Sequence, residues 1–260
     1  MKLIIVRHGD PDYEHDSLTD TGKIEAKLTA ERLKAHPGIA AFYVSPLGRA
    51  QATAQYTLDA LGRDAETLPW LREFDHHVID PLSGKERSCC WDWMPRYFYK
   101  EQKFFDRKRW FNVKPLRQKD IEKHYREVCD GFDALLAQYD YTRDSRDCAI
   151  YNCLPHLTEE AAAVDTHLLA QQEDLDSKNL VFVCHLGVMF ALIAHLTGMS
   201  PVQLWQGCYV APTSVTVLGA EERVPGEVVF RVQQFGDVRH LAEHGEPASA
   251  CGFFGNLFDL

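Results

Sequence analysis

No run of apolar residues in this chain of 260 is long enough to cross a bilayer. A spanning helix takes about 20 such residues, and the longest later stretch, Val188 to Leu196, is interrupted by His195. Near the start, the apolar run after Lys2 ends at Val6, where Arg7 and His8 follow. A secretory h-region takes about 7–15 apolar residues, so the chain is expected in the cytoplasm and away from membranes. Cationic excess is lacking too: 28 basic residues face 38 acidic ones, a formal charge of −10. That balance argues against wrapping nucleic acid and against adsorption to anionic lipid. There are no repeats and no low-complexity linker. Zinc spacing is absent as well: neither His76-His77 nor the Cys148, Cys153 and His156 group fits a strong pattern, and no metal or cofactor is expected. The eight cysteines need not pair in a reducing compartment; Cys184, inside an apolar strand, reads as a small core residue. What remains is ordinary for a folded soluble protein, 45% hydrophobic and 25% charged.

Short Ile/Val/Leu-rich runs alternate with helical patterns. Lys2–Val6 reads as a strand buried on both faces. Thr19 caps a helix running to about Ala35, stopped by His36, Pro37 and Gly38. Ala41–Val44 is a second strand, followed after Ser45-Pro46 by a helix to about Leu61 that Gly62 closes. A short strand is expected over Thr67–Leu71. Later, Leu180–Cys184 is another buried strand, and its helix ends at Thr197 with Gly198 as stop. Ser214–Leu218 and Val228–Gln233 read as a strand pair turning at Pro225-Gly226. The order βαβαβ implies a mostly parallel sheet covered on both faces. The expected architecture is therefore one three-layer α/β/α domain over residues 1–260, carrying an insertion at about 75–175.

The insertion has no clean period at first. Nine aromatic residues fall between Trp91 and Phe111. An amphipathic helix is expected over about Lys119–Tyr139, a hairpin or irregular stretch over Tyr141–Leu157, and a further helix over Thr158–Leu175. Phe253, Phe254, Leu257 and Phe258 are expected to dock on the body. Residues 100–126 hold ten Lys or Arg against four Asp or Glu, a local +6 in a −10 chain. Such a run is either a solvated face or a field that draws anions.

Four of these strands each leave a polar residue past the carboxyl end, where open α/β sheets bind ligands. The first strand delivers Arg7, His8 and Gly9. The second delivers Ser45, with Arg49 one turn into the next helix. The third delivers Glu73, and the Leu180 strand delivers His185. Two planar guanidinium forks fit a phosphoryl dianion. A neutral imidazole can attack phosphorus and carry it as phosphohistidine, and nearby cations keep it neutral. The second histidine can donate to the transferring oxygens. A protonated glutamate can give its proton to the leaving alkoxide.

Arg7-His8-Gly9 after an opening strand, Leu18-Thr19-x-x-Gly22, Ser45-Pro46-Leu47-x-Arg49-Ala50-x-x-Thr53-Ala54, the strand ending in His185, and Gly236-Asp237-x-x-His240-Leu241 together resemble the histidine phosphatase superfamily in its phosphoglycerate mutase-like branch. The resemblance covers about residues 1–74 and 178–241. It implies a metal-independent phosphomonoester hydrolase acting on a small phosphorylated metabolite. By resemblance, His8 is the phosphorylated nucleophile, Arg7, Arg49 and His185 line the phosphate pocket, and Glu73 is the proton donor. Asp75 is the next candidate acid and Asp10 the third. Trp91 and Trp93, just after the acid, are candidates for a substrate wall. Two rival readings use the same residues: a phosphoglycerate-type mutase, and an inactive relative that binds a phospho-ligand or a protein. Against the mutase, its Asn-Glu-Arg-x-Tyr-Gly stretch is replaced here by Arg72-Glu73-Phe74-Asp75. The usual Gly-Gly pair after the second histidine is Leu186-Gly187.

Overall fold

The computed structural model describes residues 1–146, 148–154 and 178–257. Strand β1, Lys2–Arg7, is buried along five of its six residues. Its two-residue alternation explains why. Ile4 and Val6 enter one apolar cluster with Leu33, Ala54 and Leu58, whereas Leu3 and Ile5 enter a second, larger one with Phe132, Phe190 and Leu192. A strand covered on both faces must read as an unbroken apolar run, and β1 does.

Helix α1, Asp20–Lys34, opens as expected, with Thr19 accepting from the Gly22 N–H. Strand β2, Ile39–Val44, is followed by α2, Gly48–Leu61, which ends on Gly62 at φ 60°. Strand β3 is only Glu66–Thr67; Pro69–Leu71 is a 3-10 turn instead of the continuing strand. Proline has no N–H to give to a ladder, so pairing stops there.

Beyond β3 come α3, Ile121–Ala137, and two short strands, β4, Thr142–Arg143, and β5, Tyr151–Asn152. Then follow β6, Asn179–Cys184, α4, Leu186–Thr197, and α5, Pro201–Gly207. The chain returns through β7, Val215–Val224, and β8, Glu227–Asp237. These last two are longer than their sequence suggests, because their distal halves pair with each other. Gly226, at φ 82°, makes their turn. The eight strands form one sheet in the order β3-β2-β6-β1-β7-β8-β5-β4. From β3 to β1 the pairs are parallel, and from β1 to β4 they are antiparallel. Helices α1 and α2 cover one face, and α3, α4 and α5 contribute to the other.

The aromatic insertion is mostly core. Trp110 meets Trp205 edge-on at 5.6 Å, and Phe74 stacks on the same ring at 5.5 Å. A short helix, Pro95–Lys100, and a hairpin joining Val78–Ile79 to Glu86–Arg87 complete it. The hairpin expected after Tyr141 is realised as β4 and β5. At the far end, Phe253 lies against Tyr209 at 4.9 Å, but Phe254 is 97% exposed and does not dock. The helix expected over Thr158–Leu175, His156 and Phe258 fall outside the described residues. Among the described residues no helix is long and apolar enough to cross a membrane.

Candidate active site

Sheet register brings three strand ends together. Arg7 pairs with Cys184, and Val183 pairs with Val44. The next residues out are His8, His185 and Ser45, held by backbone bonds from His8 N to Cys184 O at 2.8 Å and from Ser45 N to Val183 O at 3.0 Å. The two histidine rings lie 5.0 Å apart, tilted by 55°. Arg7, His8 and His185 are at most 3% exposed. Gly9 anchors the turn after β1 by donating to Thr53 Oγ1, and it has no room for a side chain, since a Cβ would stand 2.8 Å from Gly22 O.

The state of His8 is set by its surroundings. Its Nδ1–H donates to Gly9 O at 2.7 Å, because a carbonyl can only accept. Burial, and then the charges of Arg7 and Arg49, lower its pKa to about 3, despite the opposing bond to Gly9. His8 is therefore neutral at pH 7, with its lone pair on Nε2. The second histidine is held at 2.6 Å from Ser45 Oγ through Nε2. Burial, followed by His8, Arg49 and Arg7, keeps its pKa well below the ordinary value.

The two arginines are anchored on one edge only. Arg7 gives Nη1 to Val210 O at 2.7 Å and Nη2 to Cys251 O at 3.0 Å. Arg49 gives Nη1 to Asp16 Oδ1 at 2.6 Å, and the other oxygen of Asp16 accepts from Gly48 N at 2.7 Å. Burial pulls the Asp16 pKa up, but Gly48 N–H and Arg49 outweigh it and the net shift is down. Arg7 Nε, Arg49 Nε and His185 Nδ1 are all buried without a hydrogen-bond partner. Orphaned donors are costly in a core. The Nε–H groups of two buried arginines, with His185 Nδ1 unpartnered in the same cluster, suit an anion.

Glu73 reaches this cluster from the loop after β3. Its Oε1 accepts from Phe74 N at 2.7 Å and from Val188 N at 3.1 Å, so it sits on the N-terminal turn of α4, one turn from His185. Burial raises its pKa and outweighs those N–H groups and Arg7. Gly187 makes this approach possible. A Cβ there would stand 2.6 Å from Glu73 Oε1 and 2.7 Å from Trp91 Nε1. Asp75 is exposed, and Asp10 is taken by Thr19, whose Oγ1 donates to its Oδ2 at 2.8 Å. Of the three acids, Glu73 is the one hydrogen-bonded to the helix turn that follows His185.

The two tryptophans part company. Trp91 is half-buried and donates Nε1–H to Phe74 O at 2.9 Å, beside Glu73. The structure does not bring Trp93 to the site; it is 2% exposed and packs with Tyr97 and Phe104 in the insertion core. Asp16 and the carbonyls of Val210 and Cys251 were not legible in the sequence. Asp16 lies in a polar loop with φ 45°, and a backbone carbonyl has no residue signature. Among the described residues no cluster of three or more His, Cys, Asp or Glu side chains could hold a metal ion.

Residues 3–109 match the histidine phosphatase superfamily, branch 1. The motif resemblance is thereby borne out. Over 103 residues the chain is 34% identical to a 2,3-bisphosphoglycerate-dependent phosphoglycerate mutase of Brucella anthropi, covering 34% of this chain and 50% of that protein. The chain thus spans about half the length of the curated relatives it matches. In structure it resembles the phosphoserine phosphatase of Entamoeba histolytica, with TM-score 0.53, 19% identity, and coverage of 92% of this chain and 98% of the other. A mycobacterial glucosyl-3-phosphoglycerate phosphatase gives TM-score 0.52 at 18% identity, covering 90% and 98%. These likenesses establish the histidine phosphatase fold.

Proposed function

We propose that the protein is a phosphomonoesterase that works through a phosphohistidine on His8 and takes a small phosphorylated metabolite. The observation that carries this reading is the geometry at His8: its Nδ1–H is tied to Gly9 O at 2.7 Å, which leaves the lone pair on Nε2. Burial and the charges of Arg7 and Arg49 favour that neutral form. In the first step Nε2 attacks phosphorus, the bond to the ester oxygen breaks, and Glu73 gives its proton to the departing alkoxide. In the second step water attacks the phosphohistidine, Glu73 takes back a proton, and His8 leaves neutral with release of phosphate. Arg7, Arg49 and His185 hold the equatorial oxygens, whose charge they meet in a dry setting. The raised pKa of Glu73 supports its role as the acid. The phosphatases among the structural neighbours support hydrolysis only through the shared fold.

The mutase relatives favour a second reading, transfer of the phosphoryl group back to an organic hydroxyl from the same intermediate. One experiment separates the two. Brief reaction with a labelled phosphomonoester gives acid-labile, base-stable label on the wild-type chain and none on His8→Ala. Steady release of inorganic phosphate without a bisphosphoglycerate primer identifies a hydrolase. Primer dependence with retained label identifies a mutase. Full activity of His8→Ala rules out both.

A further inference from the structure

The motif Gly236-Asp237-x-x-His240-Leu241 has no part in the chemistry above, yet its histidine leads back to the nucleophile. Asp237 ends β8, and His240 stands in the short helix Arg239–Ala242 that follows. The His240 ring is buried, and its Nδ1 lies 3.2 Å from Arg32 Nη1, which also reaches Asp237 Oδ1 at 3.2 Å. A guanidinium can only donate, so Nδ1 accepts and the ring proton is on Nε2. Burial, and then Arg32, lower the His240 pKa to about 4 and keep the ring neutral. The hydroxyls of Thr29 and Thr213 stand 3.2 Å and 3.4 Å from Nε2. Each gives its own proton elsewhere, Thr29 to Glu25 O at 2.9 Å and Thr213 to Pro212 O at 2.8 Å. Both oxygens therefore accept the one Nε2–H.

Thr213 is the unusual partner. It is fully buried at φ 55°, where a β-branched residue is strained. It holds the third place of the turn Ala211–Ser214, which Ser214 N closes on Ala211 O at 3.1 Å. Glycine or asparagine usually takes that place when φ is positive. Strain of this kind persists only where the surroundings over-determine it, and here Pro212 O and His240 hold the hydroxyl. The conformation aims the Thr213 N–H at two carbonyls, Arg7 O at 3.1 Å and His8 O at 3.2 Å. Strand β1 ends at Arg7, so the His8 carbonyl lies beyond its ladder and Thr213 reaches it.

We propose that His240 and Thr213 are positioning residues for the nucleophile: His240 locks the Thr213 hydroxyl, and the Thr213 N–H holds the Arg7–His8 backbone from which Nε2 meets phosphorus. The inference rests on the phosphohistidine reading. An attacking atom must be held near its line of approach, and this clamp gives the C-terminal motif that task.

The test is the rate at which p-nitrophenyl phosphate labels the full chain in a single turnover, beside exchange of the Thr213 amide followed by nuclear magnetic resonance. His240→Asn keeps an acceptor for Arg32 but withdraws the donor from Thr213, and His240→Gln restores a donor at the Nε2 position. His240→Asn and Thr213→Val should each slow labelling by at least about tenfold, and His240→Asn should speed Thr213 exchange. Affinity for inorganic phosphate, held by arginines anchored elsewhere, should change by less than about threefold. His240→Gln and Thr213→Ser should recover most of the rate. Thr29→Val removes the other acceptor of the same N–H and should leave labelling near wild type. If His240→Asn loses its fold by circular dichroism, Thr213→Val and its serine rescue carry the test. Unchanged labelling with faster Thr213 exchange would overturn the proposal alone. So would an equal loss in Thr29→Val, which would mark general loosening. A wild-type chain that takes no label would overturn the phosphohistidine reading and this proposal with it.

Discussion

The strand ends and the insertion meet around Glu73, and they are built on opposite terms. At the strand ends Arg7, His8, Ser45 and His185 leave the backbone within one residue of a buried ladder. The position of His8 relative to His185 and Ser45 is therefore set by register and backbone hydrogen bonds. In the insertion, side chains are placed by packing of ring on ring. Trp91 and Trp93, two residues apart, end with different neighbours: one beside the acid and one in an aromatic core. Strand-end chemistry is consequently readable residue by residue, while insertion chemistry depends on which way each ring turns.

Substitutions in the two regions should therefore fail in different ways. The largest effect should come from the strand ends: His8→Ala removes the proposed nucleophile and should lower turnover by at least about 10³-fold, measured by phosphate release. Arg49→Ala should cost about 2–4 kcal/mol of transition-state binding, read from kcat/KM. Asp16→Asn leaves the guanidinium present but loosely held, and a loss of about tenfold is expected. An unchanged kcat/KM in Arg49→Ala would put that arginine outside the pocket.

In the insertion the two tryptophans should separate by kind of effect. Trp93→Ala opens a cavity in a packed core and should cost about 3–5 kcal/mol of stability, measured by denaturant unfolding. It should alter the kcat/KM ratio between a bulky and a small ester very little. Trp91→Ala should shift that ratio against the bulky ester with a smaller loss of stability. Equal behaviour of the two variants would erase the distinction.

The loop between the two regions carries the pH dependence. In the proposed mechanism Glu73 must be protonated to act as the acid, and its pKa is raised by burial. Activity should therefore hold below that raised value and fall as pH rises through it. Glu73→Gln should abolish this alkaline limb and slow an alkyl phosphate far more than p-nitrophenyl phosphate, whose leaving group needs no proton. The smallest effect should be that of chelator. With two guanidinium groups proposed to meet the phosphate, phosphate release after treatment with a divalent-ion chelator should match that of untreated protein.

Much of this was open to reading from the residues. The β1, β2 and β6 runs, the Thr19 cap, and the Gly62 and Gly198 stops all appear where their local chemistry puts them. Local rules failed where partners lie far away. Pro69 cut short a strand that apolar content alone suggested. The strands β7 and β8 grew beyond their apolar segments because each supplies the other with a ladder.

Local patterning is enough to say which side chains stand past the strand ends. A doubly covered parallel strand must be a continuous apolar run, and the first polar residue after it marks the open edge of the sheet. Only the tertiary structure decided what those side chains touch. Arg7 is anchored by carbonyls 203 and 244 positions away, and Glu73 rests on an N–H 115 positions on. Contacts of that range arise from closure of the whole sheet and have no local pattern. The missing Cβ of Gly187 matters only because that closure brings Glu73 and Trp91 against it.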